Sequence, residues 1–394
     1  ERSDYYVFWK TGQSFTQGKK LYHNEEIPRN FYYPPFAAFL FQLLAVISFQ
    51  ASAIMFFLIN AIALPVWIYF LLRKILIKYG FSEKDKLYIP IVLSFLFSFN
   101  YFWSNLNMLQ INLFIFSISL LGILYLLDKK HHIAAIALTI VTFIKIYPVF
   151  LLLYVFLLKP DKKMILAIFL TTLFCVTAPS LQGGLKKGFP DHVTYYETFL
   201  KEFKDGKIVL VLQNHNAKTL FLKAVIKEKM YDNSNLSNYK KEIILSNVLI
   251  LILLATMIYC IFHQFKKKKR EFSFLILSMI FIFTHMISGI SWSAHYVTAI
   301  FWYLPLFLID PDKLKYKSLK IVHYALLFIA LFLGFEGKDT TGQTIYLLVR
   351  KYDIYVIFPV LLYFYYAYLY LKDEKKIYRK EIEPFFKKQK HQPV

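Results

Sequence analysis

The stretch IILSNVLILILLATMIYCIF, residues 243–262, decides the fold class. None of its residues is charged. A helix needs about 20 apolar residues to cross the hydrocarbon core of a bilayer. The run does not alternate polar and apolar residues as a barrel strand does, and a backbone in hydrocarbon must satisfy its own hydrogen bonds. The stretch therefore predicts a transmembrane helix.

Similar apolar runs recur along the 394-residue chain, in which 57% of the residues are hydrophobic and 19% are aromatic. Residues 35–73 are too long for one span, but two spans would place Arg73 on the wrong side, so residues 36–49 are interpreted as an interfacial or partial helix before the span. Residues 133–158 must return to the side on which they start, and they are interpreted as two short helices meeting near Lys145 and Pro148. The pattern predicts an all-α polytopic membrane protein. The further predicted spans are residues 51–72, 88–103, 111–127, 164–178, 272–287, 296–309, 321–335 and 355–371.

The formal net charge of +22 would suit a nucleic-acid partner, but its distribution argues against one. The basic residues lie in short clusters between the apolar runs and in a basic tail at residues 372–394, as the positive-inside rule predicts for cytoplasmic segments that meet anionic lipid. No nucleic-acid-binding motif accompanies them. Both cysteines fall inside apolar runs, so no disulfide framework is expected.

This orientation predicts one integral membrane catalytic domain over residues 1–371. Residues 1–35 form its first outer loop and residues 180–242 a long outer loop, and a further span before residue 1 is a candidate. The unusual polar residues then collect on the outer side, which is the main indication of where a function resides.

Asp4 lies in an aromatic segment just before the first long apolar run. It could cap a helix, since aspartate before helical residues accepts backbone N–H bonds. It could instead remove a proton from an acceptor hydroxyl at the edge of a cavity.

Lys145 and His295 are ionisable residues next to apolar runs. A charged residue at membrane depth is costly and is therefore a functional candidate, although a lysine also reaches to the interface along its aliphatic stem. A cation at Lys145 would suit a lipid phosphate. His295 is either a structural residue or a second group on the same phosphate, and the neighbouring Trp292 is either an interfacial aromatic residue or part of the site.

Gln110, Asn112 and Asn214 place amides on the predicted outer side, where Tyr33 also lies. Amides cap helices and join neighbouring helices, and they also match sugar hydroxyls because they pair donors with acceptors. No closely spaced acidic pair stands on that side and no nucleotide-binding loop is present. Neither a metal nor a cofactor is therefore expected.

Five segments in order resemble the C-type glycosyltransferases of family 87, the polyprenyl-phosphate-mannose-dependent mannosyltransferase-like integral membrane enzymes. Leu109 stands where that family usually has glycine. QNHNAKTL, residues 213–220, is only loosely similar to an Asn-Gln-Ser stretch of the family. The five segments are DYYVFWKTG at 4–12, YYPPFAAFLF at 32–41, LQINL at 109–113, FIKIYP at 143–148 and SWSAHYV at 291–297.

The resemblance implies a helical bundle of the C-type glycosyltransferase kind, with roughly 11–13 membrane helices and an outer catalytic loop. It implies an inverting transfer from a polyprenyl-phosphate sugar, most simply mannose, to a lipid or glycan acceptor. The protein would lie in the bacterial cytoplasmic membrane with its active site facing the periplasm or exterior. Asp4 would be the catalytic base and Lys145 and His295 would bind the donor phosphate. The substrate-binding candidates are Tyr33, Gln110, Asn112, Asn214 and Trp292.

Three alternatives stay open at this point. A transporter or flippase of lipid-linked sugars would use the same cationic, aromatic cavity without a base. A membrane scaffold would depend on the basic tail. A transferase of another sugar, such as arabinofuranose, would need only a different pocket geometry.

Overall fold

The computed structural model describes residues 3–27, 31–82, 86–158, 160–181, 185–200, 214–225, 239–266, 272–288 and 291–378. Within these ranges the chain forms helices and connecting loops, with a single isolated β-bridge between Ile309 and Tyr378 and no strand. The expected all-α fold is confirmed. Most of the predicted basic tail and three stretches of the long loop, residues 182–184, 201–213 and 226–238, lie outside the described residues.

Five described helices are long and apolar enough to cross a membrane, and a bent pair could make a sixth span. The bent pair, Tyr88–Phe97 and Phe99–Met108, turns by 60° at its break. Each of the six overlaps a run predicted to span, and residues 243–262 lie in Lys240–Lys266, the most apolar of the five helices. The five helices are Phe49–Lys78, Lys162–Leu181, Lys240–Lys266, Lys317–Phe335 and Ile354–Lys372.

Shorter apolar helices stand between the long ones in the described part of the chain. Together with the six possible spans, the five shorter helices give eleven apolar helices in the described part of the chain, the lower end of the 11–13 membrane helices expected. Each of the five is shorter than a full span. His131–Ile144 and Val149–Leu158 are the two predicted short helices, and they meet at Lys145–Pro148 as expected. The shorter helices are Asn112–Leu127, His131–Ile144, Val149–Leu158, Phe274–Ile287 and Ser293–Leu308.

Residue contacts divide the chain into two compact units. The first unit comprises residues 1–68 and 104–207, and the second comprises residues 69–103 and 208–394.

The remaining described α-helices are short: Asp4–Thr16, Pro35–Phe41, Leu185–Tyr195, Ala217–Val225, Lys338–Thr341 and Gln343–Lys351.

In the first unit, aromatic residues hold helix Asp4–Thr16 in place. The Tyr5 and Phe56 rings stack with centroids 4.8 Å apart, and those of Phe8 and Phe41 stack at 4.7 Å. At Gly12 the helix backbone meets helix Pro35–Phe41 so closely that a Cβ would lie 2.3 Å from the Phe41 carbonyl oxygen. Only glycine permits this approach, and the packing fixes the position of the helix that begins at Asp4.

In the second unit, the centre is built from helices with few exposed residues. Helix Phe274–Ile287 is buried along almost its whole length. Buried tyrosines satisfy their hydroxyls on backbone carbonyls: Tyr363 donates to Leu253 over 2.7 Å and Tyr366 to Trp302 over 2.5 Å. Such pairing is what a buried hydroxyl requires.

Candidate functional site

Asp4 is the first residue of helix Asp4–Thr16, and Ser3 occupies the N-cap position. The capping interpretation of Asp4 therefore does not describe its place, although a carboxylate in the first turn still gains from the helix dipole. The half-buried Asp4 carboxylate accepts a hydrogen bond through Oδ2 from Nε2 of Gln110. The acid is thus oriented by a side chain from a distant part of the sequence.

Two partners fix the orientation of the Gln110 amide. Its Nε2 donates to Asp4, and its Oε1 accepts from the hydroxyl of Tyr33 over 3.3 Å. A hydroxyl donor on one side and a carboxylate acceptor on the other determine which end of the amide carries the N–H groups. Gln110 is itself buried, so water does not compete freely for these bonds.

The backbone positions Gln110 through the end of helix Phe99–Met108. Leu109 follows the helix with φ +48°. The Leu109 N–H donates to the Leu106 carbonyl and the Gln110 N–H to the Asn105 carbonyl, both over 3.0 Å. These paired bonds are the Schellman motif, which usually takes glycine at the left-handed position. The glycine of the resembling family corresponds to this position, and Leu109 occupies it at a cost of about 1 kcal/mol.

Lys145 lies in the connection between helices His131–Ile144 and Val149–Leu158. Its Nζ donates to Oδ1 of Asn112 over 2.8 Å. It also lies 5.5 Å from the ring centroid of Tyr33 and 5.7 Å from that of Tyr147, within cation–π range. Burial in this setting lowers the pKa of the Lys145 ammonium to about 7, while the Asp4 carboxylate acts in the opposite direction.

Asn105 links Gln110 to Asn112. It was not among the site residues predicted from the sequence. Its backbone carbonyl receives the Gln110 N–H, and its side-chain Oδ1 accepts from Nδ2 of Asn112 over 3.4 Å. It is completely buried, and its Nδ2 has no hydrogen-bond partner among the described residues. Its signal in the sequence was an amide five residues before Gln110, in the polar segment between the predicted spans 88–103 and 111–127.

Five of the eight predicted site residues therefore lie together in the first unit. With Asn105 and Tyr147 they form what we call the Asp4 cluster: Asp4, Tyr33, Asn105, Gln110, Asn112, Lys145 and Tyr147. The cluster combines an oriented carboxylate, a cation and several amide groups.

The other three predicted residues, Asn214, Trp292 and His295, belong to the second unit. Asn214 is completely buried, and its Oδ1 accepts from the Ser291 N–H over 2.8 Å and from Nδ2 of Asn216 over 3.2 Å. These bonds hold two loop segments together. A sugar-binding role for Asn214 stays a prediction.

His295 lies in the 3-10 helix Ser293–Thr298. Its Nδ1 accepts the Trp292 backbone N–H over 3.3 Å, so the neutral ring carries its proton on Nε2. Trp292 is half-buried, and its indole N–H has no hydrogen-bond partner among the described residues. The roles of Trp292 and His295 in a substrate site stay predictions.

A second polar group, the His215 network, was not found from the sequence. It consists of His215, Lys223, Arg350 and Asp353, all buried. Asp353 accepts from Lys223 over 2.9 Å and lies 2.7 Å from Nδ1 of His215. His215 and Asp353 are 138 positions apart, so no local pattern could have joined them.

The network fixes both the charge and the tautomer of His215. Arg350 can only donate, so its Nη1, 3.2 Å from Nε2 of His215, makes that nitrogen the acceptor and leaves the proton on Nδ1 facing Asp353. Burial, with the charges of Lys223 and Arg350, lowers the pKa of His215 to about 4 against the opposing effect of Asp353. His215 is therefore neutral near pH 7.

The His215 network anchors the loop that precedes Trp292 and His295. The His215 N–H donates to the Ser291 carbonyl over 2.6 Å, and Tyr296 donates to the His215 carbonyl over 2.5 Å. The His215 network therefore holds this loop in position. Among the described residues, no three His, Cys, Asp or Glu side chains come together as a metal site would require.

The model of glycosyltransferase family 87 matches residues 31–289, well over half of the chain. The match includes Tyr33, Gln110, Asn112, Lys145 and Asn214. Asp4, Trp292 and His295 lie outside it. Comparisons with curated proteins and with solved structures found no match.

Proposed function

Because the chain belongs to glycosyltransferase family 87 and is therefore a membrane glycosyltransferase, we propose that it takes its sugar from a polyprenyl-monophosphate donor. The sugar, mannose as first candidate, is passed to a hydroxyl of a lipid or glycan acceptor on the outer face of a bacterial cytoplasmic membrane. The observation that carries this proposal is the Asp4 carboxylate, oriented by Gln110 in the same cluster as the Lys145 cation.

The proposed reaction is a single displacement with inversion. The acceptor oxygen attacks the anomeric carbon while its proton passes to the Asp4 carboxylate. The bond between the anomeric carbon and the phosphate oxygen breaks, and the polyprenyl phosphate leaves with that electron pair. Gln110 holds the carboxylate in orientation through Nε2 and is itself held by Tyr33, so the base does not need to reorganise during the transfer.

Lys145 would stabilise the departing phosphate. Negative charge on the leaving oxygen grows in the transition state, so a fixed cation lowers the barrier more than it stabilises the bound donor. Asn112 positions the ammonium, and a nearby phosphate would favour its charged form. A donor-phosphate role for His295 stays a proposal from the sequence motif alone.

Tyr33, Gln110, Asn112, Asn214 and Trp292 are proposed to contact substrate or to orient the groups that do. We expect no metal requirement because Lys145 supplies the positive charge that a metal would otherwise provide. Transfer that persists in a chelator would agree with this expectation.

Asp4→Asn in purified protein tests the proposal. A positioned general base contributes about 10²–10⁴-fold to rate, so transfer should fall by at least about 10²-fold while binding of the polyprenyl-phosphate sugar persists. Asp339→Asn, the same change at an exposed acid, is the matched control. Full transfer by Asp4→Asn would refute the assignment of the base, and movement of the lipid-linked sugar without transfer would indicate a flippase.

A further inference from the structure

Helix Gln343–Lys351 has three distinct faces. Tyr346, Val349 and Arg350 lie on the face that packs against the protein, where Val349 and Arg350 are buried. Beside it, spacings of three and four residues bring three apolar side chains onto one exposed face. That face consists of Ile345, Leu348 and Tyr352, which are 44%, 46% and 51% exposed.

The third face of the helix is polar. Gln343, Thr344 and Lys351 are exposed there, with Leu347 among them. A water-soluble helix would expose one polar face and bury its apolar residues. Here the apolar residues are divided between the protein and the outside, and the polar residues occupy the remaining side.

The position of the helix in the chain puts it at a membrane surface. It lies between the spans Lys317–Phe335 and Ile354–Lys372, so the segment that joins them lies on one side of the bilayer. Only Tyr352 and Asp353 separate it from the second span, and Asp353 turns the chain with φ +49°. The spans expose apolar residues close to the same surface, Phe335 on one and Ile357 on the other.

From these features we infer that helix Gln343–Lys351 lies in the membrane interface, with Ile345, Leu348 and Tyr352 inserted at the boundary between lipid headgroups and acyl chains. An interfacial helix is recognised by an exposed apolar face beside a polar one, and tyrosine favours this depth because its ring is apolar and its hydroxyl is polar. The partner is the lipid surface itself.

Arg350 connects this lipid-facing helix to the interior. Its guanidinium lies 4.4 Å from the ring centroid of Tyr346 and 5.5 Å from that of Tyr355, and it bonds His215 over 3.2 Å. The helix therefore fastens the His215 network, and the loop it anchors, to a fixed depth in the membrane. The depth of this helix in the membrane does not depend on the reaction proposed above.

Site-directed spin labelling tests the inference in the full chain, placed in nanodiscs of phosphatidylcholine and phosphatidylglycerol. Cys175 and Cys260 are the chain's two cysteines and both are buried, so the unsubstituted protein measures background labelling. Leu348→Cys and Ile345→Cys probe the apolar face, and Gln343→Cys probes the polar face. Phe328→Cys, 70% exposed on the preceding span, gives a lipid reference.

Collision rates with oxygen, which dissolves in hydrocarbon, and with a water-soluble nickel chelate decide the outcome. We expect the ratio of oxygen to nickel collisions to be several-fold higher at positions 345 and 348 than at 343, and to approach the value at 328. Equal ratios at 343 and 348 would overturn the inference, as would low collision rates with both reagents at 345 and 348, which would indicate a protein covering. Two positions on the apolar face ensure that one misfolded variant does not decide the test.

Discussion

Gln110 donates its side-chain N–H to the Asp4 carboxylate across 106 residues of sequence. The bond joins the first helical residue of the chain to the segment that follows the bent helix pair. This hydrogen bond fixes the direction of the Asp4 side chain, whereas an exposed acid at the start of a helix would be free to rotate. Three of the predictions below concern this cluster, and the fourth concerns the His215 network.

Gln110→Leu should reduce turnover more than donor affinity. The substitution removes the donor that orients Asp4, and a hydrogen bond to a charged group contributes about 1.5–3 kcal/mol, which corresponds to about 10- to 100-fold in kcat. Steady-state kinetics of sugar transfer measure the effect. Asn107→Leu, at an exposed amide on the same helix end, is the control, and an equal loss in both variants would contradict an orienting role for Gln110.

The pH dependence should report Lys145. Since burial lowers the pKa of its ammonium to about 7, the free enzyme loses this positive charge as pH rises through that value. The kcat/KM for transfer should therefore decline on the alkaline side of about pH 7. In Lys145→Arg the guanidinium stays charged at all these pH values, so this variant should lack the decline. Lys145→Met should have a low kcat/KM for transfer at every pH.

The comparison for this profile is Lys129→Met, which alters an exposed lysine of the same unit. It should leave the profile unchanged. If Lys145→Arg is active and still shows the alkaline decline, another group is responsible for it.

Leu109 should tolerate glycine and reject β-branched residues. Its φ of +48° suits glycine, while valine adds crowding at Cβ in a conformation that already costs an L-residue about 1–2 kcal/mol. Leu109→Val should therefore lower both the thermal unfolding temperature and transfer, because the turn that presents Gln110 is displaced. Leu109→Gly should retain transfer, and an active, fully stable Leu109→Val would show that the turn is not required.

Asp353→Asn should be strongly destabilising. It leaves the Lys223 ammonium buried without its counter-ion, and breaking a buried pair in this way costs about 3–5 kcal/mol. Denaturant unfolding in detergent measures the loss. Adding Lys223→Met should recover part of it, since the two residues are in contact and their effects should not be additive. Independent, additive effects would exclude the pairing.

The sequence predicted the helical spans because hydrophobic length alone identifies them. It also predicted the break between two short helices at Lys145 and Pro148, where a proline follows a charged residue. The identity of most of the Asp4 cluster followed from unusual polar residues in apolar surroundings and from the order of the family's motifs. These signals are local, and each can be recognised within a few residues.

Contacts between distant segments could not be predicted in the same way. The 60° bend after Phe97 separates one predicted span into two helices, and no proline or glycine stands at the break to announce it. Asn105 acquires its role only when the helix end, Gln110 and Asn112 come together. His215 looked like part of a polar turn, and its partners Asp353 and Arg350 follow more than 130 positions later.

The proton arrangement at His215 has a consequence for acid environments. The unfolded chain would bind a proton at this imidazole near pH 6.5, whereas the folded chain does so only near pH 4. Across that interval the His215 imidazole of the folded state gains no charge, and this one group lowers the free energy of unfolding by about 1.4 kcal/mol for each pH unit of acidification. Acidification around this loop would therefore leave its geometry intact while steadily reducing its stability against unfolding.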